Sequence, residues 1–140
     1  RKECMQILTA LKRDEFKLGL IINTQLSSGD AYRELIVKNL GFGTLFDSMI
    51  FSNEVGFLKP HRLIFQVAQM ELGINNPSDI IHIGNEPEND ITGALRSNFR
   101  AIYFNTDENA PPSIFAEGCS PEYIVNSLIE IPDIIKKIKW

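Results

Sequence analysis

Five short runs of nearly unbroken apolar residues punctuate the chain: FKLGLIIN (16–23), SMIFS (48–52), IIHIG (80–84), AIYF (101–104) and YIV (123–125). A strand with one face in water alternates apolar and polar residues. Runs as continuous as FKLGLIIN instead mark strands covered on both faces, as in a parallel sheet. The stretches between them carry the helical period. Cys4, Ile7, Leu8 and Leu11 fall at i, i+3, i+4 and i+7. Tyr32, Leu35, Ile36 and Leu40 form a stripe that stops at Gly41, and Ile64, Val67, Ala68 and Leu72 form one closed by Gly73. Leu128, Ile131, Ile135 and Ile138 make the last. Strands that alternate with amphipathic helices predict an α/β fold, a mainly parallel sheet between helical layers.

Local signals set the predicted boundaries. Ser27 with Asp30 makes a capping-box pattern before the second helix. Pro60 suits the first turn of the third, and Asp90 precedes a short helical pattern from about Ile91 to Arg96 as its N-cap. Residues 105–122 are a Pro- and Asn-rich loop, long enough to be functional or to cross a sheet edge. The 140 residues make one domain by length, and 44% hydrophobic with 23% charged residues is globular composition rather than disorder.

Charge and cysteine usage narrow the function classes. A net charge of −4 with a pI near 5.2 argues against a nucleic-acid partner. Lys136, Lys137 and Lys139 read as a helix C-terminus favoured by its dipole. Cys4 and Cys119 fit no zinc spacing, and we expect a reduced, cytoplasmic protein. No apolar run reaches the length of a membrane span, so no membrane partner is expected. Arg1 in first position leads us to expect a processed chain or one cut from something longer.

In parallel α/β sheets, ligands gather beyond the carboxyl ends of the strands. Three polar stretches fall at that edge: Asn23 and Thr24, the loop around Lys59, and the loop from Asn85 to Asp90. Each has two readings. Asn23 and Thr24 suit anion binding or plain turn chemistry. Lys59 precedes a helix start, where the dipole disfavours a cation, so it either meets an anion or sits solvated. Asp90 reads as a helix cap or as an oxygen ligand for Mg²⁺, while Glu86 and Glu88 read as solvated loop acids. His61 and His82 share no metal-ligand spacing, and His82, inside an apolar strand, reads as a core histidine.

Taken together, KLGLIINTQ, EVGFLKPHRLIFQVAQMELGI and IIHIGNEPENDITGALRSNFRAIYFN resemble the haloacid dehalogenase-like (HAD) hydrolases over nearly the whole chain. The resemblance implies a Rossmann-like three-layer sandwich, here an incomplete HAD-like core. It also implies hydrolysis through an aspartyl nucleophile, most often of a small phosphorylated molecule, with a lysine and Mg²⁺ neutralising charge. On this pattern Lys59, with Pro60, is the catalytic lysine, Asn23 and Thr24 face the phosphate, and Asn85 and Asp90 stand at the metal positions.

The chain departs from the family at three places. Ile22 stands where a Ser or Thr usually precedes the Asn; Thr24 replaces it only if the strand end is shifted. Asn85 stands where the metal loop has its first acid, so Mg²⁺ binding is expected to be weakened. The nucleophile motif, DxDx[T/V] after an apolar strand, is absent from the 140 residues, as is a cap domain. Residues 1–140 therefore read as the C-terminal portion of a HAD-like core, inactive by itself, its sheet completed by an N-terminal segment or a second chain. The alternative is a non-catalytic member that binds a partner or a small anion.

Overall fold

The computed structural model describes residues 2–24, 28–107 and 115–140. Helix α1 (Lys2–Arg13) forms at the first helical stripe, with Glu3 in its first turn and Lys12 and Arg13 in its last, charges that suit its dipole. Strand β1 (Gly19–Ile22) follows. Helix α2 (Gly29–Glu34) widens into a π-type turn over Leu35–Leu40 and stops at Gly41, whose φ of 73° is the left-handed conformation of a helix end. Then come β2 (Ser48–Phe51), α3 (Ser52–Val55), α4 (Arg62–Leu72) and β3 (Ile81–Gly84). A π-type turn over Pro87–Thr92 leads into α5 (Gly93–Arg96), followed by β4 (Arg100–Phe104), β5 (Tyr123–Val125) and α6 (Ile131–Lys137).

Helix starts differ from the predicted ones. The predicted cap Ser27 lies outside the described residues; Ser28 caps α2, its side chain accepting from the Ala31 N–H. Helix α4 starts at Arg62 rather than at Pro60, because the His61 ring accepts from the Leu63 N–H at 3.2 Å and takes the capping role. Part of the long loop, 108–114, also lies outside the described residues.

All strand pairs are parallel, in two ladders: β1 with β2, and β3–β4–β5 with β4 in the middle. Among the described residues, β1 and β3 form no ladder with each other. This corrects the expectation that FKLGLIIN is a fully covered strand. Ala101, Ile102 and Tyr103 of β4 are buried, whereas β1 and β3 are only partly buried along their length.

Helices cover both faces. On one side α4 supplies Ile64, Phe65 and Ala68, the turn before α5 supplies Ile91 and α5 supplies Ala94, packed with Ile50, Ala101 and Tyr103 from the strands. On the other, Ile7 and Leu11 of α1 and Ile131 and Ile135 of α6 pack on Ile102 and Val125. Each fully buried Ile or Phe contributes about 1.5–3 kcal/mol of transfer free energy. The result is a three-layer α/β sandwich. No described helix is long and apolar enough to cross a membrane.

Candidate active site

Lys59 lies in the short segment between α3 and α4, and both of its ends are tied. Its backbone N–H donates to Asn23 Oδ1 at 2.7 Å and its carbonyl accepts from Asn23 Nδ2 at 3.0 Å. Its ammonium reaches Asp90 Oδ1 at 2.5 Å, with the two side chains only 13% and 6% exposed. Asn23 follows β1 and Asp90 follows β3, so the lysine joins the carboxyl ends of the two ladders.

Asp90 is the most heavily bonded group in the site. Its Oδ1 also takes a hydrogen bond from His82 Nε2 at 3.0 Å, and its Oδ2 accepts from the N–H groups of Asn85 and Glu86, both at 3.0 Å. The carboxylate is not the N-cap of a helix starting at Ile91, as the sequence suggested. The helical turn starts earlier, at Pro87, and Asp90 folds back from inside it onto the preceding loop. This close return needs a glycine: a Cβ on Gly84 would lie 2.2 Å from Asp90 Cγ. Burial works against ionisation of Asp90, but the His82 hydrogen bond and the charge of Lys59 outweigh it, holding the carboxyl well below the usual carboxylate range. Burial pushes His82 below the ordinary imidazole value despite the bond to Asp90, so a neutral ring donates to an ionised carboxylate.

Thr24 is placed differently. It is buried, its N–H donates to Ser52 Oγ at 2.9 Å, and its hydroxyl donates to Asn53 Oδ1 at 3.0 Å while accepting from the Asn53 N–H at 3.1 Å. These bonds tie the end of β1 to the end of β2. Asn85 is exposed beside the Asp90 loop; Glu86 bonds Asn89 and Glu88 pairs with Arg96, both at the surface. The site thus brings Asn23, Lys59 and Asp90 together, with the backbone of Asn85, and turns Thr24 towards β2.

Sequence reasoning missed His82 as a member of the site. One signal was available: a buried histidine needs a hydrogen-bond partner, and Asp90 is an acid on the adjoining loop. The cysteines are both free.

The donor set does not make a Mg²⁺ site as arranged. A carboxylate offers about four acceptor positions, and those of Asp90 are taken by Lys59, His82 and two backbone N–H groups. Among the described residues no group of three His, Cys, Asp or Glu side chains converges to hold a metal. A divalent cation at Asp90 would have to displace one of these donors.

What the arrangement offers is a buried, oriented ammonium. One of its three N–H groups is held by Asp90, and among the described residues the other two meet no acceptor, which leaves them for an anion. The fold is an α/β sandwich with a lysine tied to an acid at the strand ends, and comparison with known proteins gives its family. The family model for haloacid dehalogenase-like hydrolases matches residues 1–98. The chain belongs to that family, whose members generally use Mg²⁺.

The chain is 28% identical over 133 residues to the pyrimidine 5'-nucleotidase YjjG of Escherichia coli, covering 95% of this chain and 55% of that protein. It is 34% identical over 100 residues to a glyceraldehyde 3-phosphate phosphatase of Methanothermobacter thermautotrophicus, covering 71% of this chain and 42% of that protein. A crystal structure of a HAD phosphatase from Thermococcus onnurineus superposes with a TM-score of 0.78 at 24% identity, over 96% of this chain and 57% of the other, a likeness of fold. The chain spans about half the length of the curated relatives it matches.

Proposed function

We propose that this chain carries the phosphate-handling half of a phosphomonoester hydrolase whose aspartyl nucleophile lies outside these 140 residues. The observation that carries the reading is the Lys59 ammonium, fixed by Asp90 at the strand ends with two N–H groups left to meet a phosphoryl group. Phosphoryl transfer depends largely on positioning and charge neutralisation, which a held lysine supplies. The names of the relatives, a nucleotidase and a phosphatase, support the same substrate class. The nucleophile would come from an N-terminal segment or a second chain that also completes the sheet between β1 and β3.

Three residues favour a second reading, a non-catalytic member that binds an anion or a partner. Ile22 and Asn85 stand at positions the family fills with hydroxyl and acid, and Asp90 is already satisfied without a metal. One experiment separates the two. Hydrolysis of p-nitrophenyl phosphate is followed with the natural full-length protein, its Lys59→Met variant, and the 140 residues alone. The first reading expects turnover by the natural protein, a loss of about 10²-fold or more on Lys59→Met, and none from the 140 residues. No turnover by the natural protein would favour the second reading. Turnover by the 140 residues would overturn both.

A further inference from the structure

Asn23 and Lys59 are 36 residues apart in sequence, yet one carboxamide meets both backbone groups of one residue. The Asn23 side chain thereby acts as a rung of ladder beyond the last residue of β1, holding a segment that has no strand partner of its own. Phe57 and Leu58, just before Lys59, are exposed, and their contacts with the His61 ring and N–H stay within the same segment, so it is the Asn23 carboxamide that ties the Lys59 backbone to the end of β1. The far end of the lysine is fixed separately, by Asp90. A lysine side chain has several rotatable bonds, and its ammonium is well placed only if both its origin and its end are set.

We infer that Asn23 is a positioning residue: it sets the backbone from which Lys59 reaches the anion, and does not itself bind that anion. The inference rests on the reading of Lys59 as the anion-binding cation. It reassigns Asn23, which its place at the strand end and the family resemblance had both offered as an anion ligand. It also accounts for an amide here rather than a hydroxyl, because only a group with both a donor and an acceptor at carboxamide spacing pairs with the N–H and the C=O of one residue at once.

The test is a double-mutant cycle read by phosphate affinity. Inorganic phosphate is titrated by calorimetry into the protein, into Asn23→Ala, into Lys59→Met and into the double variant, with thermal melts of each. Without Lys59, Asp90 keeps His82 and two backbone N–H donors, so the methionine variant is expected to fold. Asn23→Ser replaces Asn23→Ala if alanine prevents folding.

The expected result is that Asn23→Ala weakens phosphate binding about tenfold with Lys59 present and has no further effect with methionine at 59, the non-additivity of residues acting as a unit. An equal loss in both backgrounds would overturn the inference, because it would make Asn23 a direct ligand. A lower melting temperature with affinity unchanged would overturn it too, leaving a purely structural brace. If the unsubstituted protein binds no phosphate, the reading of the site fails and takes this inference with it, a pattern distinct from the other two.

Discussion

At the scale of single residues, the site is organised around one carboxylate. Asp90 draws an ammonium, an imidazole and two peptide N–H groups onto its two oxygens, and the shifts of Asp90 and His82 set how the protein responds to acid. His82, facing Asp90 and Lys59, has its folded pKa lowered, so the unfolded chain takes up a proton more readily than the folded one. Its stabilising effect is full above the ordinary imidazole value of about 6.5 and is lost as pH falls towards the lowered folded value. Asp90 is also lowered, so its contribution is full above the ordinary carboxylate value of about 4 and fades below it, as pH falls towards the folded pKa. Both act in the same direction. Urea unfolding followed by circular dichroism should show stability falling in two stages, below about pH 6.5 and again below about pH 4. His82→Gln should reduce the first stage, and a stability that stays flat from pH 8 to pH 5 would contradict the assignment.

At the scale of elements, close approach decides more than propensity. Gly84 ends β3 where Asp90 folds back, and Gly93 opens α5 where a Cβ would lie 2.7 Å from the Phe65 ring of α4. Gly84→Ala forces the Asp90 loop outward. It should cost about 1–3 kcal/mol, read as a lower urea midpoint, and should weaken phosphate binding together with stability. An unchanged midpoint would mean that the loop relaxes freely.

This is also the scale at which the sequence was most and least legible. Stripes such as Ile64, Ala68 and Leu72 gave α4 its inner face, because helical periodicity is a local property and survives in the chain as written. The start of α4 did not follow from Pro60, because the cap is a histidine ring whose role depends on geometry rather than residue type. Asp90 read as a helix cap for the same reason: its partners, Lys59 and His82, lie 31 and 8 residues away. Strand-end topology put the loops of Lys59 and Asp90 at one sheet edge, resemblance gave them roles, and only the fold showed what each of them holds.

At the scale of the whole molecule, the two ladders share side-chain packing but, among the described residues, no backbone rungs. In a parallel strand the peptide groups of successive residues point to opposite edges. The carbonyl of Leu18 accepts from Ser48 beside β2, and the carbonyl of Ile80 accepts from Arg100 beside β4. By alternation, Gly19 and Ile21 of β1, and Ile81 and Ile83 of β3, turn their peptide groups to the edges that have no strand. In deuterium, those four amides should therefore exchange quickly, while Leu20, Ile22, His82 and Gly84 exchange slowly, a two-residue rhythm that NMR resolves site by site. Any chain segment that docks as a strand along both edges would silence that rhythm at all four positions together, so the pattern of isotope uptake reports directly on whether the sheet has been closed.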